Sequence, residues 1–106
     1  MRIEQLEPGE IELIGACLRA AANGPYFPDW EFATLFGLSR QQVASIAEKW
    51  PSNAGEPVTE IAVLNALVNL HGYPHGREDE LRRTVADPEA LHNVVKKVRG
   101  IGDAGA

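Results

Sequence analysis

The apolar residues of this chain recur at helical spacing, and no stretch alternates as a strand would. Ile11, Ile14, Leu18 and Ala21 step by 3, 4 and 3 along the sequence, as one buried helix face requires. This predicts a first helix from about Pro8 to Asn23, stopped by Gly24-Pro25. Asp29 is expected to cap a short second helix, Trp30 to Phe36, which Gly37 ends. Ser39, with Gln42 three places on, reads as a capping box for a third helix. Its inner stripe is Val43, Ile46, Ala47 and Trp50, and Pro51 ends it. The segment Pro-Ser-Asn-Ala-Gly-Glu-Pro (51–57) is rich in turn formers and is expected to be a mobile linker. The fourth helix, about Pro57 to His71, is the most apolar. Ile61, Val63, Leu64, Leu67, Val68 and Leu70 cover most of its circumference, which places it at the centre of a bundle with Leu64 and Leu67 in the core. Asn65 and Asn69 interrupt it on one stripe. Gly72 ends it, a short polar fifth helix covers about Arg77 to Val85, and Asp87-Pro88 opens a sixth with Leu91, Val94, Val95 and Val98 inside. Residues 100–106 are small and are expected to form a disordered tail. The expected fold is all-α: one domain over residues 1–99, a compact bundle of five or six short helices round helix four.

One corner of this pattern carries a functional suggestion. Ala33 lies four places before Gly37, Val43 six places after it and Ile46 nine, with Phe32, Phe36 and Leu38 in the other apolar slots. That is how a helix-turn-helix packs its two helices, the second of which can enter the major groove. Helix three would then be the recognition helix, with Ser39, Arg40, Gln41 and Ser45 facing outward. Arginine can read guanine there and glutamine adenine.

Charge works against this suggestion. The 106 residues carry 10 Lys and Arg against 15 Asp and Glu, a net charge of −5. Nucleic acid or an anionic membrane would suit a basic protein better. Residues 77–99 hold six basic and five acidic side chains, ending in Lys96, Lys97 and Arg99, and basic residues late in a helix complement its dipole without any partner. The one cysteine, Cys17, sits on the apolar stripe of helix one, so no internal disulfide forms and a reducing cytoplasm is the simplest compartment. The first residues lack the apolar block of a signal peptide, which also favours a cytoplasmic location.

No catalytic constellation emerges. A Gly-rich phosphate loop, a paired-carboxylate motif and a metal-ligand set are all missing from the sequence, so neither an enzyme nor a metal or cofactor protein is expected. His71 and His75 have the i, i+4 spacing of a helical metal pair, but Gly72 and Pro74 lie between them, and a helix does not run through that. More unusual are two stiff aromatic loops, Gly24-Pro25-Tyr26-Phe27-Pro28 and Tyr73-Pro74-His75-Gly76. Tyr26, Phe27, Trp30, Tyr73 and His75 are candidate anchors for a protein partner, because rigid aromatics lose little entropy on binding. For Phe27 and Trp30 the favoured role is instead to close the ends of the core. Asn65 and Asn69 are expected to hydrogen-bond the carbonyls of these loops.

The blocks Gly-Pro-Tyr-Phe-Pro-Asp-Trp-Glu-Phe (24–32), Thr-Leu-Phe-Gly-Leu (34–38) and Leu-His-Gly-Tyr-Pro-His-Gly (70–76) resemble those of a group of small, acidic, uncharacterised bacterial helical proteins. The resemblance spans roughly residues 10–99 and implies a bacterial, cytoplasmic, stand-alone domain with no catalytic residue to transfer. Residues 30–50 also resemble the helix-turn-helix of bacterial repressors, but with few of the flanking basic residues such repressors carry. The expected function is a non-enzymatic protein-binding module, for instance an immunity protein or antitoxin-like inhibitor that meets a basic partner by charge complementarity. The alternative is a DNA-binding transcriptional regulator acting through helix three.

Overall fold

The computed structural model describes residues 3–104, and every regular element among them is helical. A 3-10 turn at Ile3–Gln5 leads into α1 (Pro8–Asn23), α2 (Asp29–Phe36), α3 (Arg40–Lys49), α4 (Pro57–Gly72), α5 (Glu78–Thr84) and α6 (Pro88–Ala104). The all-α bundle predicted from periodicity is the fold that forms.

Local chemistry accounts for most helix ends. Pro8 opens α1, where a missing N–H loses nothing. Glu10 Oε1 reaches back to accept from Glu7 N at 2.8 Å. At the other end Gly24 N donates to Ala20 O, and a Cβ on Gly24 would stand 2.5 Å from that same carbonyl oxygen. Only glycine allows the chain to turn so closely against the helix it has just left. Ser39 and Gln42 form the expected capping box, with Gln42 N donating to Ser39 Oγ at 3.1 Å and Ser39 N to Gln42 Oε1 at 2.8 Å. Gly37 takes φ 68°, the left-handed turn between α2 and α3.

The expectations need correction at three places along the chain. Asp29 does not cap α2: Pro28 holds the N-cap position, and Asp29 lies in the first turn with its carboxylate engaged by Arg40. The 51–57 segment is not a loose linker throughout, because Asn53 and Ala54 are buried and Asn53 Nδ2 donates to Ile46 O at 3.1 Å. The backbone also stays helical past Gly100 to Ala104. A glycine inside a helix costs about 1 kcal/mol but does not stop it without a left-handed cap. Residues 105 and 106 of the expected tail lie outside the described residues.

The core forms where α4 meets α1, α2, α3 and α6. Ile14, Cys17 and Leu18 of α1, Phe32 and Phe36 of α2, Val43 of α3, and Ala62, Val63, Ala66 and Leu67 of α4 are sealed from solvent, with Leu91, Val94, Val95 and Val98 of α6 closing the far side. Helix four is central, but not on every face. Its inward stripe is Thr59, Ala62, Val63, Ala66, Leu67 and Leu70. Ile61 and Leu64, expected inside, are 48% and 36% exposed. Four neighbours occupy only part of the circumference, and the residues left over meet water whatever their polarity.

Two interactions tie the helices in ways open to measurement. Leu67→Ala empties a sealed site and should cost about 2–5 kcal/mol in chemical denaturation. Leu64→Ala, at a partly wet site, should cost under about 1 kcal/mol. Equal losses would mean that α4 is rotated from the position described. Glu10 also accepts from Lys97 Nζ at 2.7 Å, joining the start of α1 to α6. Its hydrogen bond from the Glu7 backbone, and then Lys97, hold the Glu10 carboxyl below its ordinary value of 4.5. A carboxyl lowered in the folded state contributes stability that is full above that value and fades as pH falls through its folded pKa. The stability gap between wild type and Glu10→Gln should therefore shrink on titration from neutral pH to below about 4. A gap unchanged by pH would show that the carboxylate charge does not matter.

Candidate functional site

The corner between α2 and α3 carries the helix-turn-helix alternative, and Arg40 decides how it reads. The Arg40 side chain does not face outward. Nη1 donates to Ala21 O at 3.3 Å and Ala22 O at 3.2 Å, Nη2 to Phe27 O at 2.7 Å, and Nε to Asp29 Oδ1 at 3.0 Å. Its guanidinium carbon lies 4.5 Å from the centre of the Phe32 ring. Ala21 and Ala22 are in the last turn of α1, where carbonyls have no partner within the helix. Arg40 satisfies two of them and places a cation at the negative end of the helix dipole. Every guanidinium nitrogen has a partner, so none remains to read a base.

The other nucleic-acid candidates divide differently. Ser39, Gln41 and Ser45 are exposed, but the Ser39 hydroxyl caps its own helix. The exposed side of α3 continues into Glu48 and Lys49, one charge of each sign. Of the basic residues near the chain end, Lys97 is already paired with Glu10.

Asn65 and Asn69 serve the same corner from below. Asn65 Nδ2 donates to Phe36 O at 2.9 Å, and Asn69 Nδ2 to Leu35 O at 3.3 Å and Asn65 O at 2.8 Å. The two amides therefore finish the C-terminus of α2 and not, as the sequence suggests, the carbonyls of the aromatic loops. Orphan carbonyls at a buried helix end are the more demanding acceptors.

The two aromatic loops meet in space. Tyr26 stands edge-on to His75 with ring centres 5.1 Å apart, and Phe27 packs against Tyr73 at 5.5 Å and Phe36 at 5.4 Å. Most of this cluster faces inward. Tyr26 and Phe27 are buried, and the Tyr26 hydroxyl meets Thr84 Oγ1 at 3.3 Å. Tyr73 is half-buried and its hydroxyl donates to Glu31 Oε2, a bond that pushes the tyrosine above its ordinary value. His75 Nδ1 accepts from Arg77 N at 3.0 Å, which leaves Nε2 to donate to Leu70 O, also at 3.0 Å. Tyr26 and Phe27, candidate anchors on the sequence, thus lie in the core. Phe27 closes the core as expected, but Trp30, expected to do the same, is 79% exposed.

The structure leaves an apolar surface on α4 that includes Ile61 and Leu64, both expected inside. Among the described residues the exposed large apolar side chains are Trp30, Val58, Ile61 and Leu64. Three of the four line one stripe of α4, and the half-buried Val68 continues it. A signal existed: a helix apolar all round, in a chain too small to enclose it, must leave some of those residues outside.

No group of three or more His, Cys, Asp or Glu side chains converges among the described residues in a way that could hold a metal. Burial pushes the Cys17 thiol up to about 12 and closes it off as a nucleophile. A shallow groove of about 650 Å³ runs along the outer side of α1, lined by Ile11, Glu12, Arg19, Trp50, Pro51 and Val85. Trp50 is fixed as its wall by Nε1 donating to Ile11 O at 2.9 Å.

Arg40→Ala should destabilise the fold by about 2–3 kcal/mol, because buried carbonyls lose charge-assisted partners. Gln41→Ala, next to it but exposed, should stay within about 0.5 kcal/mol of wild type. Arg40→Lys should recover only part of the loss, since one ammonium cannot span the same acceptors. Thermal melts of the three variants test this, and an unchanged melt for Arg40→Ala would mean the guanidinium does not hold the corner.

No protein-family model matches the chain, and neither a characterised protein nor a solved structure is detectably similar to it.

Proposed function

We propose that this protein is a non-enzymatic protein-binding module that docks its partner on the exposed stripe of α4, with Trp30 as a second anchor. The carrying observation is that exposed apolar stripe, Val58, Ile61 and Leu64, on an otherwise well-buried bundle. Large aliphatic residues gathered on one exposed helix stripe gain more from a partner's surface than from water. An aromatic such as Trp30 brings a large contact area at small cost in side-chain freedom. The net charge of −5 favours a basic partner and fast, salt-sensitive association. An inhibitor of the immunity-protein or antitoxin type, acting in a bacterial cytoplasm, is one concrete form of this reading. DNA regulation through Ser39, Gln41 and Ser45 is the weaker reading, because Arg40 is committed to the fold.

The test compares wild type with Trp30→Asp and Ile61→Asp, two exposed sites where folding should be preserved. Each protein is immobilised and challenged with lysate at low salt, and bound proteins are identified by mass spectrometry. A basic protein held by wild type and lost from Ile61→Asp at unchanged melting temperature supports the assignment. An identical bound set for all three overturns it. Salt-sensitive binding of mixed-sequence duplex DNA in fluorescence anisotropy, lost in Gln41→Ala, would move the assignment to the DNA reading.

A further inference from the structure

The fold brings together two histidines that the sequence keeps on separate helices. His71 lies in the last turn of α4 and His92 near the start of α6. Their rings stack with centres 5.1 Å apart and planes 27° from parallel, and both side chains are exposed. Neither imidazole makes any other hydrogen bond or ion pair among the described residues. His75, the third histidine, has both ring nitrogens occupied by backbone partners. His71 and His92 are therefore the available imidazoles among the described residues.

We propose that His71 and His92 form a two-imidazole site for a divalent transition-metal ion of the zinc, nickel or copper type. Neutral imidazole is a preferred ligand of these ions. Each metal–nitrogen bond is about 2.0–2.1 Å, so one ion holds two nitrogens roughly 3–4 Å apart. With ring centres 5.1 Å apart, rotation of the two exposed side chains is what must turn a nitrogen of each ring toward a shared ion. The packing of α4 on α6, with Leu67, Leu70, Leu91 and Val95 buried, sets the spacing of the two ligands in advance. Preset spacing makes the second bond an intramolecular event at high effective concentration. Water completes the coordination, since no third side chain converges. The buried Cys17 offers no competing thiolate. An ion on both rings clamps the end of α4 to the start of α6 and binds the folded state in preference to the unfolded one, so it must raise the melting temperature.

The experiment uses the full chain without a histidine tag, titrated with nickel chloride and separately with zinc chloride. Calorimetry and thermal melts are recorded for wild type, His71→Gln, His92→Gln and His75→Gln. The expected result is one ion per chain and a melting temperature that rises with metal. Affinity should fall by about 10²-fold in each of His71→Gln and His92→Gln and stay unchanged in His75→Gln. No binding to wild type, or loss in only one of the first two variants, would overturn the site, as would binding that His75→Gln abolishes. Because both substituted residues are exposed, metal-free melts close to wild type will show that any lost binding is not unfolding.

Discussion

A single guanidinium holds three parts of the chain in register. Arg40 sits at the first position of α3 and takes the last carbonyls of α1, the Phe27 carbonyl of the connecting loop and the carboxylate at the start of α2. The Asp29 arm adds little, because that carboxylate is 93% exposed and an exposed ion pair is worth at most about 1 kcal/mol. The carbonyl contacts decide the matter. A helix end packed against the rest of the molecule cannot leave its acceptors empty, and a planar five-donor group satisfies several at once. That anchor adds to what positions α3 from within, its Ser39–Gln42 capping box and its buried Val43–Ile46 stripe.

The same constraint is met a second way at the end of α2. There Gly37 turns the backbone and Asn65 and Asn69 of α4 supply the missing donors. Two polar residues in the most apolar helix are thus required by the fold, because the corner they finish packs directly on α4. Phe32 and Phe36 stack with ring centres 4.3 Å apart beneath it, so the polar locks and the aromatic core reinforce one another. The helix-turn-helix spacing follows from this packing problem. It specifies a tight corner, and its arginine is bonded within that corner.

What the corner does not use stays outside. The apolar surplus of α4 and the indole of Trp30 remain at the surface, and the interior claims the aromatic loops that looked like anchors. Tyr26 and Phe27 are sealed in, while Tyr73 and His75 direct their polar atoms to Glu31, Leu70 and the Arg77 backbone. Stiff Pro-bounded loops suit both roles, and only their surroundings distinguish an anchor from a plug.

The six helices, most of their ends and the Ser39–Gln42 box were legible in the amino-acid sequence. These features depend on residues within about four positions of one another, where periodicity, proline, glycine and caps act locally. The inward stripes of α1, α3 and α6 were legible for the same reason, since each has a distinct polar face, except that Ile11 and Trp50 are half-buried and line the outer groove. Helix α4 has no such contrast, so its sequence could not say which apolar residues would remain outside. The destinations of Arg40, Asn65 and Asn69, the meeting of the aromatic loops and the pairing of His71 with His92 were decided only by tertiary structure. Each joins groups on different elements, and which donors and acceptors meet depends on how the helices cross.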